Sequence, residues 1–160
     1  MYAEIISIGN EILCGKIIDT NSHYITNKLR ENNFFVNHIS AVGDNENKLV
    51  KQLKESYKRS RIIITTGGLG PTEDDITFQS IASAFNLNLV KYPEAERQIN
   101  KILHRNNRVI SKSNLKQAYL PEGSKCIINE FGTAPAIILE IKNRIIISLP
   151  GVPLEMKKLL

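Results

Sequence analysis

The chain has 160 residues, of which 42% are hydrophobic and 23% charged, the balance of one ordinary globular domain. Its longest apolar runs are about four residues and its N-terminus has no basic segment before an apolar one, so we expect neither a membrane span nor a secretory signal. The net charge of +5 could suit nucleic acid or phosphorylated molecules, but we give it little weight because Ile, Asn and Lys are frequent throughout, and the lack of Trp argues against a surface that stacks bases.

The first half of the chain alternates short apolar strands with amphipathic helices. Apolar or alternating runs predict strands at 3–9, 34–42 and 61–66. Apolar residues at helical spacing predict helices at 20–32, 46–59 and 74–85. Thr20 or Asn21 is the expected N-cap of the first helix, and Thr72 precedes the third.

The second half contains shorter elements and one hairpin. We predict a short strand at 88–91, a helix from Pro93 to about Asn106, and a loop with one helical turn at 111–124. Strands at 136–141 and 144–149 flank Lys142-Asn143, which predicts a tight hairpin, and a short helix follows at 154–160. The pattern predicts an α/β fold with a mostly parallel, mixed sheet.

Four loops of unusual composition follow predicted strands. They read "IGNE", "VGDN", "TTGG" and "LPGVP". Parallel strands bring their carboxyl ends to one edge of a sheet, and ligands of open α/β sheets bind beyond those ends. We therefore expect these loops to share one binding edge.

The segment "TTGGLGPTEDDIT", residues 65–77, combines glycines with carboxylates. Gly67, Gly68 and Gly70 permit close approach of the backbone to a ligand, and Pro71 stiffens the turn. Thr72 with Asp75 resembles a capping box, which predicts a helix N-terminus with free N–H groups suited to an anion. The segment matches neither a P-loop nor a dinucleotide fingerprint.

The carboxylates of Glu73, Asp74 and Asp75 are unexpected beside an anion site. A divalent metal would reconcile them with a phosphate, because carboxylates and phosphate oxygens both bind Mg²⁺-like ions. Two alternatives stay open: an acid binds a ribose or pterin donor without metal, or the acids only complement a helix dipole. Glu11 and Asp44 add further acids, each also explained as a solvated loop residue or an N-cap.

Other chemistry is less well supported. Cys14 and Cys126 are too few for a disulfide framework or a metal set, so we expect reduced thiols and a cytoplasmic location. The lysines of 48–58 and the basic residues of 97–112, Arg108 among them, are typical of solvated helix faces. No histidine has a partner at metal-ligand spacing.

Six motifs in order resemble the N-terminal domain of the CinA family of competence/damage-inducible proteins, within the wider molybdopterin-binding (MogA/MoaB-like) fold. They are "IGNEILCGKIIDTN", "VGDN", "TTGGLGPTEDDIT", "NLKQAYLPEG", "GTAP" and "LPGVP", from residue 8 to residue 153. The resemblance implies a three-layer α/β/α domain over 1–160, often homo-oligomeric. It also implies that the nicotinamide-nucleotide amidase domain found C-terminally in many members is absent from this chain.

The resemblance further implies ADP-ribose diphosphatase activity that depends on a divalent metal (Co²⁺, Mg²⁺ or Mn²⁺) and is helped by K⁺. Its motifs assign catalytic roles to Asp75, Asp44, Glu11 and Lys116, and metal binding to Asp75, Asp74, Glu11 and Asp44. The expected ligand-binding residues are Gly67, Gly68, Gly70, Pro71, Thr72, Thr77, Asn21, Asn114, Gln117, Gly132, Thr133, Pro150 and Gly151. Ala136 and Asn10 depart from the family pattern.

Three functional hypotheses follow. The first is hydrolysis of the diphosphate of ADP-ribose or a related nucleotide, with Lys116 or Arg108 stabilising the leaving phosphate. The second is a regulatory or cofactor-handling module that binds a pterin or nucleotide without turnover. The third, molybdopterin adenylyltransfer, is disfavoured by the "GPTEDD" form of the turn.

Overall fold

The computed structural model describes residues 2–106 and 109–160, so Arg108 lies outside the described residues. Eight strands occur in this part of the chain: β1 (Tyr2–Ile8), β2 (Phe35–Val42), β3 (Ile62–Thr66), β4 (Leu89–Lys91), β5 (Tyr119–Pro121), β6 (Lys125–Ile127), β7 (Ala136–Ile141) and β8 (Arg144–Leu149). The helices are α1 (Asn10–Leu13), α2 (Thr20–Glu31), α3 (Glu46–Arg59), α4 (Thr77–Phe85), α5 (Pro93–Arg105), α6 (Lys112–Lys116) and α7 (Pro153–Leu159).

The main sheet has six strands in the order β2-β1-β3-β8-β7-β6. The first four are parallel to one another, and β7 and β6 are antiparallel additions. Ile141 pairs with Arg144 across a tight turn in which Lys142 has a φ of 54°. The predicted mixed, mostly parallel sheet and its hairpin are confirmed.

Helices cover both faces of the sheet, which gives the predicted three layers. Alternation along β1 sends Ile6 and Ile8 to a core shared with α3, α4 and α5, and Ala3 and Ile5 to a core shared with α2 and α7. All five residues of β3 are buried, as expected for a central parallel strand covered on both sides.

The sequence-based boundaries are wrong in three places. The helix predicted from residue 74 begins at Thr77. The segment predicted as a loop with one helical turn at 111–124 has that turn as α6, but it also contains β5, which pairs with β4 in a separate two-stranded sheet. The short elements α1 and β6 were not predicted, because three or four residues carry too little periodicity to be recognised.

The two cysteines are free thiols. Cys14 is exposed, whereas burial raises the pKa of the Cys126 thiol to about 11 and keeps it protonated at neutral pH. Within the described ranges no helix is both long and apolar enough to cross a bilayer.

An ion pair between a buried carboxylate and a partly exposed arginine joins the sheet to α3. Glu4 is fully buried in β1 and accepts hydrogen bonds from Arg59 Nε at 2.9 Å, Arg59 Nη2 at 2.5 Å and Ser56 Oγ at 2.6 Å. Burial by itself would raise the pKa of Glu4, but the hydrogen bonds from Arg59 and Ser56 outweigh it and lower the pKa below its usual 4.5. The carboxylate therefore stabilises the fold above pH 4.5, and that contribution is lost as the pH falls through the lowered pKa.

We predict that Glu4→Gln lowers the free energy of unfolding at pH 7 by about 2 kcal/mol, the scale of hydrogen bonds to a charged group, because Arg59 is 36% exposed and water can solvate it after the change. The difference from the parent chain should shrink as the pH falls below 4.5, because the stability that comes from a lowered pKa is lost progressively below the unfolded value. Urea unfolding at pH 7 and at a series of pH values below 4.5 measures this. Glu31→Gln, which breaks an exposed pair with Lys28, is the control and should cost under about 0.5 kcal/mol. An equal loss at pH 7 and below pH 4.5 for Glu4→Gln would contradict the assignment.

Candidate functional site

A cleft of about 530 Å³ lies at the carboxyl ends of the parallel strands. The ends of β1, β2, β3 and β8 contribute Ile8, Asp44, Thr66 and Pro150 to its wall, so the expected shared edge exists. We call this the main cleft. Of the residues predicted from sequence it is lined by Glu11, Asn21, Asp44, Gly67, Gly68, Gly70, Pro71, Asp74, Asp75, Gln117, Thr133, Pro150 and Gly151.

The main cleft has a one-sided charge. Six carboxyl residues line it, namely Glu11, Asp19, Asp44, Asp74, Asp75 and Glu155. Within the described part of the chain its wall contains no Lys, Arg or His. A low-dielectric concavity lined by one sign of charge focuses the field, so the cleft attracts cations and repels a bare polyanion.

The glycine-rich turn is held by Thr77, the first residue of α4. Thr77 Oγ1 donates to Gly67 O at 2.8 Å, and Thr77 N donates to Gly68 O at 3.1 Å. Gly67 and Gly68 have φ values of 102° and 64°, and a Cβ at Gly68 would collide with Thr77 Oγ1. Thr77 is fully buried and does not line the cleft, so its role is to position the turn.

Asp75 is fixed beside this turn by Thr72. The Thr72 N–H and hydroxyl both donate to Asp75 Oδ2, at 2.9 Å and 2.6 Å. A Cβ at Gly70 would collide with the same oxygen, which explains glycine at that position. The Thr72 hydroxyl also contacts Asp74 and lowers the pKa of that carboxyl, an effect that the charge of Lys116 reinforces.

These local bonds explain why the expected helix start was wrong. The Thr72–Asp75 pair closes a turn instead of capping a helix, because side-chain bonds to nearby backbone compete with helical geometry. α4 then begins after Ile76 without a side-chain cap. Thr72 N and Thr77 N already have acceptors, so neither is available to an anion.

Three other amides of the turn remain available. Among the described residues no acceptor is found for the N–H groups of Gly68, Leu69 and Gly70. Pro71 has no N–H to offer. Within the glycine-rich part of the turn, residues 67–72, the backbone donors available to a phosphate are therefore those of residues 68–70.

Asp44 and Glu11 lie on the side of the cleft formed by β1 and β2. Asn10 N donates to Asp44 Oδ2 at 3.0 Å, and Asp44 N donates to Asn10 Oδ1 at 3.2 Å. This reciprocal pair ties the loop after β1 to the loop after β2. Glu11 follows in α1 and is exposed at the cleft wall.

Asp19 is a cleft residue that sequence reasoning missed. It is the N-cap of α2 in place of the expected Thr20 or Asn21, and its Oδ1 accepts from Ser22 N at 3.0 Å. Its Oδ2 accepts from the hydroxyls of Ser7 and Ser22, each at 2.6 Å. The sequence contained a feature that could have identified it, because Asp immediately before a predicted helix is a preferred N-cap.

Glu155 was also missed. It lies in the first turn of α7 and accepts from Asn129 Nδ2 at 2.7 Å. A Cβ at Gly132 would collide with the Glu155 carboxylate, so Gly132 makes room for this side chain without itself lining the cleft. The neighbouring Thr133 lines the cleft, and its carbonyl is held by Gln98 Nε2 at 3.2 Å.

Asn21 connects two of the loops. Its Nδ2 donates to Thr66 Oγ1 at 2.9 Å and to Gly151 O at 2.8 Å, which fixes which end of the amide is oxygen. The Oδ1 atom is buried without a hydrogen-bond partner among the described residues. Because a buried acceptor without a donor is costly, a ligand donor or a cation is a natural partner for it.

Lys116 and Asn114 lie away from the main cleft wall. Lys116 Nζ donates to Thr72 O and Asp75 O, both at 2.7 Å, so it clamps the turn through its carbonyls. Asn114 completes a capping box with Ser111 at the start of α6. The geometry gives Lys116 a positioning function and Asn114 a structural one.

The donor set of the cleft suits a hard cation. Among residues 2–106 and 109–160 no group of three or more His, Cys, Asp or Glu is close enough to hold a metal by itself. Mg²⁺-like ions are commonly held by one or two carboxylates together with phosphate oxygens and water. A metal in this cleft would therefore have one or two of the carboxylates as protein ligands and would need a phosphorylated ligand or water to complete its coordination.

Comparisons with known proteins place this geometry in a family. Residues 4–160 match the family described as "Probable molybdopterin binding domain". The chain belongs to this family. A relative from Halothermothrix orenii that carries the name competence-damage inducible protein is 50% identical over 157 residues, and a CinA-like protein of Dictyoglomus thermophilum is 45% identical over 156.

Comparison with solved structures supports the same family assignment. The CinA protein of Thermoplasma acidophilum superposes with a TM-score of 0.92 at 32% identity, covering 99% of this chain and 93% of that one. MoaB of Thermus thermophilus has a TM-score of 0.63 at 18% identity, covering 98% of this chain and 85% of that one, which shows a shared fold. Within its family the chain is CinA-like. It spans 38% of the length of the curated relatives named above, and 98% of its own residues take part in each match.

We predict that Gly68→Ala destabilises the domain by about 2–4 kcal/mol, because it combines a left-handed backbone with overpacking against Thr77. Gly15→Ala is the matched control, since Gly15 has a φ of 71° with nothing within 4 Å of its Cβ position. Gly15→Ala should lower the free energy of unfolding by about 1–2 kcal/mol, which is the cost of placing a Cβ on a left-handed backbone without any clash. Urea unfolding measures both, and equal losses would show that Thr77 does not hold the turn.

Proposed function

We propose that the domain hydrolyses the diphosphate of ADP-ribose or a related nucleotide in a reaction that requires a divalent cation. The supporting observation is the main cleft itself, which presents six carboxyl residues, free backbone amides and, among residues 2–106 and 109–160, no basic side chain. A diphosphate would be repelled from such a wall unless a cation lay between the two charges.

Each part of the wall has a role in this proposal. Asp75, with Asp44, Glu11 or Asp74, would hold Co²⁺, Mg²⁺ or Mn²⁺, which when bound supplies charge neutralisation and an activated water. The N–H groups of residues 68–70 receive phosphate oxygens, as glycine-rich turns do in other phosphate sites. Asn21 Oδ1 accepts a hydrogen bond from a ligand hydroxyl or contributes to the cation site.

The reaction adds one water across the P–O–P bridge and gives AMP and ribose 5-phosphate. Asp75 is the most important residue for the proposed catalysis, because Thr72 fixes the position of its Oδ2 and Gly70 of the turn packs against that atom. Lys116 acts through the turn, since its ammonium group is occupied by two carbonyls. We also propose that K⁺ supports the reaction.

We propose that the chain forms homo-oligomers. Phe35 and Ile39 are exposed on the edge strand β2 and offer an apolar surface for self-association.

A second candidate is a module that binds a pterin or nucleotide without turnover. The family description, molybdopterin binding, favours it. The two candidates differ in product formation: calorimetric binding of the ligand with no product in the presence of metal supports the binding module.

We predict that the 160-residue chain releases AMP from ADP-ribose with Co²⁺, Mg²⁺ or Mn²⁺, and that Asp75→Asn lowers the rate at least about 100-fold. Loss of even an outer-shell partner of a metal costs about 10–100-fold, and asparagine keeps an oxygen for Thr72. Chromatography of the nucleotides measures the product.

Glu73→Gln is the matched control, since Glu73 belongs to the same acidic run but does not line the cleft. It should retain activity within about twofold, as expected for a surface substitution away from the reacting groups. Absence of AMP with all three metals, or full activity of Asp75→Asn, would overturn the proposed hydrolysis.

A further inference from the structure

A second, smaller cavity adjoins the main cleft. It has a volume of about 190 Å³ and shares five wall residues with the main cleft, namely Gly68, Leu69, Gly70, Asp75 and Gln117. Its other walls come from α4, β4, α6 and β5, through Phe78, Gln79, Leu89, Lys116 and Tyr119. We call it the rear cavity.

Gln117 contributes a hydrogen-bond acceptor to the wall of the rear cavity. The residue is only 2% exposed, and its Nε2 donates to Leu69 O at 2.9 Å. That bond settles the orientation of the amide, so the other terminal atom is the acceptor Oε1. Oε1 is buried and has no hydrogen-bond partner among the described residues, although buried acceptors are nearly always paired.

The remaining walls are largely apolar. Leu69 and Phe78 are buried, while Leu89 and Tyr119 are 38% and 43% exposed and form the open side. Lys116 keeps its positive charge, but its Nζ is turned towards the glycine-rich turn, where it donates to the carbonyls of Thr72 and Asp75. A flat apolar group with one hydrogen-bond donor matches these walls better than a charged group does.

The volume of the rear cavity limits the size of the ligand that it can bind. Sites for drug-sized molecules measure about 300–1,000 Å³. A volume of about 190 Å³ accommodates one ring system and excludes a whole nucleotide. Aromatic and aliphatic walls are the usual surroundings of a bound heterocycle.

We propose that the rear cavity binds a planar heterocycle with an exocyclic amino group, which donates to Gln117 Oε1. The ring is either the base of the same molecule that occupies the main cleft or a separate free base. Only the first source rests on the proposed function, because a free base needs neither phosphate nor metal.

The test uses adenine as the probe and purine, which lacks the amino group, as its analogue. Both are titrated into the ¹⁵N-labelled chain without metal, and NMR shifts are followed for the backbone of Leu69 and Tyr119 and for the Gln117 side-chain amide. Adenine should bind about tenfold more tightly than purine, the effect of one hydrogen bond to a buried acceptor.

Leu89→Trp should weaken adenine binding at least tenfold, because the larger ring fills the open side of the cavity. Leu160→Trp is the matched control and should bind as the parent does, since Leu160 is 43% exposed and lines neither cavity. Equal affinity for adenine and purine in the parent chain would overturn the proposal, and so would shifts confined to Asn21, Thr133 and Glu155. Both outcomes are read on the unmodified protein.

A final titration separates the two sources. A non-hydrolysable ADP-ribose analogue with Mg²⁺ is added to saturation before adenine. If adenine is then excluded and the analogue itself shifts Tyr119, one ligand spans both cavities. If adenine still binds, the cavity takes a separate base. Failure of ADP-ribose to be hydrolysed would leave the adenine result unaffected.

Discussion

The organisation of the main cleft depends on carboxylates that are oriented but not neutralised. Asp75 and Asp74 are held by Thr72, Asp19 by Ser7 and Ser22, Asp44 by the Asn10 amide, and Glu155 by Asn129. Every one of these donors is uncharged. A neutral donor fixes the position of an anion and leaves its charge available to something outside the protein.

Glu4 shows how the same chain treats a carboxylate of another kind. It is buried between β1 and α3 and meets the guanidinium of Arg59, so its charge is satisfied within the fold. An ion pair of this type stabilises a structure only when its partners stay together. Among the described residues the carboxylates of the cleft form no such ion pair, and this difference is the basis for the proposal that a cation binds there together with its ligand.

Much of the fold could be predicted from the sequence because the central strands and the longer helices have strong periodicity. The runs that became β1 and β3 are almost wholly apolar, and α3 repeats Leu49 and Leu53 at helical spacing. Short elements such as β5 could not be predicted, since Tyr119 acquires strand geometry only by pairing with Lys91. Their stability comes from tertiary contacts that a local pattern does not contain.

The site residues could be predicted where glycines and acids cluster in the sequence. Isolated acids were missed when their position at the start of a helix already explained their presence. Asp19 and Glu155 each stand at a helix start, a position that already accounts for an acid. The beginning of α4 was misplaced because a capping box and a side-chain-closed turn share the same residue types at Thr72 and Asp75. The clamp by Lys116 depends on the distance between α6 and the turn, which no sequence spacing reveals.

The most direct test is calorimetric titration of a non-hydrolysable ADP-ribose analogue into the chain, once with Mg²⁺ and once with a chelator. If the carboxylates repel the diphosphate unless a cation lies between them, the affinity falls at least tenfold in the chelator, about 1.4 kcal/mol of binding free energy. Equal affinity under both conditions would contradict the account, because the diphosphate would then occupy the acidic cleft without a cation.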